Sequence, residues 1–192
     1  GNPVQGRIGN AQPKFTGGFS LSGYAYGFDV AANFTYSYGN KVFNANNVEF
    51  TSSQKYTGKG VIRNLSDQMA LGKRWTNIDW ATGDAITDPE ALAAANRTTT
   101  MWSPYMPQTV VHSWLLEDAS FLRLKNLMLS YTFPQEWLRK TRFIGGARIY
   151  AQAQNLFTFT KFTGLDPEGN SNMYQAQYPM ARQFTFGLDL TF

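Results

Sequence analysis

The chain has no cysteine and only one histidine in 192 residues, and these two shortages remove most site chemistry at once. Without thiols there is no disulfide framework and no thiolate nucleophile. One imidazole and no thiolate do not make up the usual zinc ligand sets. A Ser–His–acid arrangement would need His112 beside Ser113 or Ser120 with Glu117 or Asp118. All of these lie on one short stretch with no nucleophile elbow or oxyanion signature, so neither an enzyme nor a bound cofactor or metal is expected. No stretch approaches the roughly 18 consecutive apolar residues of a membrane helix, which excludes helical spans. Charge is also sparse: Lys and Arg number 17 against 13 Asp and Glu, spread along the chain. The densest basic group, Arg139, Lys140 and Arg142, lacks the interleaved aromatics of a nucleic-acid platform, so no nucleic-acid partner is expected. The opening Gly1-Asn2-Pro3-Val4-Gln5-Gly6 has no charged n-region and no apolar h-region, so an export signal is expected on sequence outside these residues.

What the chain does have is aromatic side chains, 15 Phe and 10 Tyr, placed in alternation rather than in runs. The clearest case is the final segment, where Phe184, Phe186, Leu188, Leu190 and Phe192 alternate with Gln183, Thr185, Gly187, Asp189 and Thr191. Side chains of a strand point to opposite faces with period two, so this reads as a strand with one apolar and one polar face. Four further strands are expected. Residues 14–21 set Phe15, Gly17, Phe19 and Leu21 on one face; residues 28–39 set Phe28, Val30, Ala32, Phe34, Tyr36 and Tyr38 on one face. The apolar parity switches between them, which calls for a tight turn within 22–27. Residues 120–133 carry Leu127, Leu129, Tyr131 and Phe133, with Arg123 and Lys125 interrupting the apolar face. Residues 147–156 set Ala147, Ile149, Ala151 and Ala153 against Arg148, Tyr150, Gln152 and Gln154.

The connections decide which apolar medium the strands meet. Turns 22–27 and 134–146 are short, whereas about 40–113 and 157–178 are long, and all long loops fall on one side. Within the first, short helices are expected at 66–71, stopped by Gly72, and at 88–95, where Asp88 caps, Pro89 suits the first helical position and Asn96 ends the run. Pro134 is likewise suited to a first helical position. Compact soluble domains use connections of about 4–6 residues. Outer-membrane barrels combine short periplasmic turns, long extracellular loops and alternating strands of about 10 residues. Tyr24, Tyr26, Phe28, Phe133 and Phe192 near the short turns, and Phe15, Tyr36 and Tyr38 near the long loops, are placed as two interfacial girdles. The expected fold is therefore all-β, an antiparallel transmembrane barrel segment contacting outer-membrane lipid. Five strands do not close alone, since barrels need at least about 8.

Several phrases carry a family likeness: Gly9-Asn10-Ala11-Gln12-Pro13-Lys14-Phe15, Trp114-Leu115-Leu116-Glu117-Asp118-Ala119-Ser120-Phe121-Leu122-Arg123-Leu124-Lys125-Asn126-Leu127, Gln154-Asn155-Leu156-Phe157-Thr158-Phe159-Thr160, Gly164-Leu165-Asp166-Pro167-Glu168 and Tyr178-Pro179-Met180-Ala181-Arg182. Together they span nearly the whole chain, and they resemble the C-terminal barrel of the SusC/RagA-like TonB-dependent outer-membrane receptors of Bacteroidetes-type bacteria. Gly187, Leu190 and Phe192 resemble the barrel-assembly signal. The resemblance implies that residues 1–192 are the C-terminal part of a barrel of about 22 strands in the cell outer membrane. It also implies a plug domain and a TonB-contacting segment on sequence not present in this chain, and a SusD-like surface lipoprotein as lid. The activity so implied is nutrient import, oligosaccharides first and oligopeptides second.

Within that frame Trp75, Trp80, Trp102, Tyr105 and Trp114 are candidates for ligand or lid contact, since flat rings in polar loops stack on sugars or anchor partners. Arg148, Gln152, Gln154, Gln183, Thr185 and Asp189 are expected to face the lumen or plug. Asp166, Glu168 and Asn170 carry oxygen ligands, but Asp-Pro-Glu-Gly-Asn reads as turn chemistry and no metal is expected. The alternative to an importer is a soluble β-rich carbohydrate-binding module that uses Trp75, Trp80 and Trp102 as a stacking platform.

Overall fold

The computed structural model describes residues 6, 8–51, 64–104, 113–169, 173–174 and 178–192. Five long strands form one antiparallel meander: β1 (Phe15–Ala25), β2 (Phe28–Tyr38), β5 (Phe121–Thr132), β6 (Gly146–Thr160) and β8 (Gln183–Thr191), paired in that order. A smaller three-stranded sheet orders β4 (Leu116–Asp118), β3 (Lys41–Asn44) and β7 (Met173–Tyr174). Two compact units result, one of residues 1–43 with 116–192 and the other of residues 44–115.

The first hairpin is tighter than the sequence pattern suggests. Ala25 pairs with Phe28, leaving only Tyr26 and Gly27 in the loop, at φ 51° and 88°. Two positive φ values in a two-residue loop are what the right-handed strand twist favours. Gly27 is needed there because a Cβ would also meet the Thr132 carbonyl at 2.9 Å. Residues 22–25 are therefore strand, not turn, and the parity switch follows from the two-residue loop itself. Tyr24 pairs with Asp29 on the polar face, so it stands apart from the expected aromatic girdle.

Register then carries one apolar face across all five strands. Phe19 opposes Phe34, Val30 opposes Leu129, Leu129 opposes Ala151, and Ala151 opposes Phe186. Phe19 and Phe34 stack with ring centroids 4.7 Å apart, and Phe28 meets Tyr131 at 4.6 Å. The interruption at Arg123 and Lys125 is resolved by a bulge. Asn33 pairs with Asn126 but Phe34 pairs with Leu124, so Lys125 is skipped and the apolar parity of β5 passes from odd to even. Leu122 and Leu124 thereby join the apolar face while Arg123 turns to the polar one, as an extra residue in one strand requires. Opposite the bulge, Asn155 adopts a left-handed φ of 53° and β6 shifts register to match.

No second layer covers the apolar face among the described residues. Phe186 is 78% exposed, Leu129 47% and Leu190 42%. The buried apolar cluster is small, Val42, Ala119 and Phe162, and sits beside the minor sheet, where Lys41 pairs with Asp118 and the Ala119 amide donates to the Asn40 carbonyl.

The segment read as one long loop is more structured than alternation alone reveals. It contains β3, α1 (Ala45–Thr51) and α2 (Pro89–Ala95), with a single 3₁₀ turn, Asp67–Met69, where the longer 66–71 helix is expected. At α2 the Asp88 carboxylate accepts the Ala91 amide, Pro89 occupies the first turn, and the Asn96 side chain donates to the Leu92 carbonyl. Asn96 also exchanges hydrogen bonds with the Thr76 backbone in both directions, at 2.8 Å each. Among the described residues of 40–113, these side-chain-to-backbone ties hold the end of α2 to Thr76. The second loop begins later than expected, since β6 runs to Thr160. Pro134 is the N-cap of α3 (Gln135–Leu138) rather than its first helical residue.

Gly187 shows how tightly cross-strand rings fill the sheet. It opposes Tyr150, whose ring lies over it so closely that a Cβ would fall 2.1 Å from Cζ. Gly187→Val in the intact protein should destabilise by about 1–3 kcal/mol through overpacking, and Tyr150→Ala in the same chain should recover much of that loss. Urea unfolding of the wild type, the two single variants and the double variant measures the coupling, and strictly additive effects would refute the contact.

Candidate functional site

On the polar face of the sheet, at the bulge, the second long loop is pinned by ion pairs. Arg123, 3% exposed, is turned inward by the parity change. Its Nε donates to Thr158 Oγ1 at 2.9 Å, one terminal nitrogen to Asp166 Oδ1 at 2.5 Å and the other to Glu168 Oε2 at 2.8 Å. The bulged Lys125 reaches the same Glu168 oxygen at 2.8 Å. Asp166, 6% exposed, also accepts the amides of Glu168 at 2.9 Å and Met180 at 3.2 Å. The Asn155 side chain donates to the Ala181 carbonyl at 3.1 Å. Both ends of this loop are thus held on the strand pair that carries the bulge. Burial alone would raise the Asp166 carboxyl. The Arg123 hydrogen bond, the two amide donors and the Arg123 charge outweigh it and hold the group below the ordinary carboxylate value. Asp118 is also held low, chiefly by the Ser120 hydroxyl and amide.

By sequence alone Asp166 and Glu168 read as turn residues and Arg123 as a break in an apolar pattern. The signal was available in part, because two cations inside a lipid-facing alternation demand a reason. The partners lie more than forty residues away and could not be chosen without the fold. Both carboxylates are engaged by cations; Asn170 lies outside the described residues.

The loop aromatics are in residues 44–115. Trp80 is 51% exposed, with the Arg74 guanidinium 5.0 Å from its ring centroid. It borders a cleft of about 500 Å³ also lined by Thr76, Asp79, Thr82 and Asp84. Trp75 is exposed, and its amide donates to the Met101 carbonyl. Trp102 and Trp114 meet edge to face at 4.8 Å and 90°, a packing pair rather than a flat platform. Tyr105 and His112 lie outside the described residues.

The six residues expected to face the lumen or plug share one face by register: Arg148 opposes Asp189, Gln152 opposes Thr185 and Gln154 opposes Gln183. Arg148 donates to Ser130 Oγ at 2.9 Å. Among the described residues, Thr35 Oγ1, Asn126 Oδ1 and Arg148 Nε on this face are buried without a hydrogen-bond partner.

No family model matches the chain. TonB-dependent receptor P3 of Formosa agariphila is 29% identical over 96% of the chain and 17% of its own length. TonB-dependent receptor SusC of Bacteroides thetaiotaomicron is 42% identical over 79 residues, 41% of the chain and 8% of its own length. Among solved structures, the RagAB peptide transporter aligns with a TM-score of 0.73 and 32% identity, covering 95% of this chain and 18% of that one. The chain therefore spans about a sixth of the length of the relatives it matches over almost its whole extent.

The ion-pair cluster generates a mutational and a pH expectation. In the intact protein, Arg123→Met strands a buried carboxylate and should weaken the loop by about 3–5 kcal/mol, whereas adding Asp166→Leu should restore part of it. Because the Asp166 pKa is depressed on folding, its stabilisation is complete above the unfolded value of about 3.9 and fades as pH falls through the lower folded value. Hydrogen exchange of residues 164–169 should be flat from neutral pH to about 4, after correction for intrinsic rates, and should quicken below it. An unaltered rate in Arg123→Met would show that the cluster does not hold the loop.

Proposed function

We propose that the chain is a barrel segment of a SusC/RagA-like TonB-dependent outer-membrane receptor, a reading that the likeness to TonB-dependent receptors and to the RagAB structures supports, and that it serves as part of a nutrient importer. The observation that carries this is the apolar face held in register over five strands, with none of the described residues packed on it as a second layer. Such a face is stable against hydrocarbon, and the opposite polar face then lines a lumen. A soluble carbohydrate-binding module would leave that whole face in water, well beyond the patch a soluble monomer tolerates.

In the importer, Arg148, Gln152, Gln154, Gln183, Thr185 and Asp189 face the lumen or the plug. The orphaned polar atoms on that face support a polar filling, since buried donors and acceptors are nearly always satisfied by protein or ordered water. The plug, the remaining strands and the TonB-contacting segment come from the rest of the receptor chain. A SusD-like lipoprotein closes the extracellular mouth. Gly187, Leu190 and Phe192 act as the assembly signal.

The cargo we infer is an oligosaccharide. Trp80, with hydroxyl and carboxylate acceptors in its cleft, offers the flat apolar face and hydrogen-bonding groups that a sugar ring uses. An oligopeptide is the second reading, favoured by the likeness to structures described as a peptide importer. Trp75→Ala and Trp80→Ala in the full receptor are expected to cost roughly 1–2 kcal/mol of cargo or lid binding, about tenfold in apparent affinity. Uptake of labelled oligosaccharides and oligopeptides, with co-purification of the lipoprotein, measures this. Unchanged uptake and co-purification would remove both residues from the contact surface.

A further inference from the structure

The apolar face is not uniform. Along β6 its side chains are Ala147, Ile149, Ala151 and Ala153, while the flanking strands present Leu129 and Tyr131 on one side and Phe186 and Leu188 on the other. Ala151 lies low between Leu129 and Phe186, with Ile149 beside it in the same row, and a shallow furrow of about 300 Å³ opens over Ala151, bordered by Ile149, Tyr131 and Phe28.

The furrow ends at the turn joining β5 to β6. Tyr131 pairs with Ile149, and the Phe133 amide donates to the Ala147 carbonyl just before the chain leaves the sheet. Rings continue past that point, from Tyr131 to Phe133 at 5.1 Å and on to Trp137 at 6.4 Å. Beyond the rings stand Arg139, Lys140 and Arg142, all exposed, with Glu136 the one carboxylate in the turn. Among the described residues none of the three cations forms an ion pair. The turn that presents them is tied internally: Gln135 donates to the Gly145 carbonyl, Thr141 Oγ1 donates to the Leu138 carbonyl and accepts the Ile144 amide. Three cations on an internally tied turn, following the ring series Tyr131, Phe133 and Trp137 that starts at the lining of the apolar hollow, match the two ends of one amphiphile.

We propose that the furrow along β6 and the basic 139–142 turn form a binding site for an anionic phospholipid of the periplasmic leaflet, its acyl chain on Ala151 and its phosphate at the cations. Charge complementarity names the occupant, since an apolar furrow alone would accept any chain, while the turn selects a negative headgroup at the depth of the short, periplasmic turns. The site rests on the barrel reading but adds to it a headgroup preference that a barrel does not require.

The test uses the full receptor, purified in mild detergent and incubated with equal amounts of phosphatidylglycerol and phosphatidylethanolamine, with retained lipid read by native mass spectrometry. Wild type should retain phosphatidylglycerol preferentially. R139Q/K140Q/R142Q should lose that preference, with retention falling on the order of a hundredfold from removal of three charges. Ala151→Phe should reduce retention of both lipids. Equal retention by the triple variant would overturn the proposal, as would displacement of the lipid by inorganic phosphate alone, or a lipid-free dimer with copies covering the furrow. Heat-modifiable gel mobility of every variant reports separately on the barrel, so a failure there is distinguishable from a failure of the lipid site.

Discussion

The structure depends on antiparallel register. Five strands hold most of their large apolar side chains on one face only because the pairing places like against like, and a slip of one residue would carry a strand's apolar set to the polar side. Two devices protect that arrangement. A two-residue loop with two positive φ values locks the first hairpin, and the Lys125 bulge shifts parity within β5 where the sequence would otherwise break the apolar face.

A sheet held this way is unlike a globular core. Its buried apolar cluster is small, and many of its large apolar side chains are exposed. Each of those side chains would contribute roughly 1.5–3 kcal/mol on leaving water, so the stability of this segment lies in its surroundings. β1 and β8 each pair on one side among the described strands. In hydrocarbon those outer edges need further strands, because backbone polar groups there have no water to bond. Lipid on one face and neighbouring strands at both edges are thus physical requirements of this fold.

The bulge that preserves the apolar face also creates the polar anchor. Skipping Lys125 turns Arg123 inward and leaves Lys125 beside it, and the two cations collect Asp166 and Glu168 from the second long loop. The same local irregularity therefore serves the membrane-facing side and the organisation of a loop on the other. Residues 44–115 follow a different rule, in which side chains such as Asp88 and Asn96 satisfy backbone groups that neither a long helix nor a sheet would occupy.

Strand identity, the sidedness of each strand, the cap of α2 at Asp88 and the unequal loop lengths were legible in the amino-acid order, because period two and turn chemistry are local properties. The family likeness was legible too, in phrases that keep their order along the chain. Where β1 ends, how Arg123 and Lys125 fit an apolar alternation, and which side of the sheet Tyr24 joins were settled only by pairing between strands. The same holds for the Arg123–Asp166–Glu168 cluster and for the furrow over Ala151. Alternation specifies which way a side chain points, but a bulge, an ion pair across more than forty residues or a groove between neighbouring strands exists only once distant segments are brought side by side.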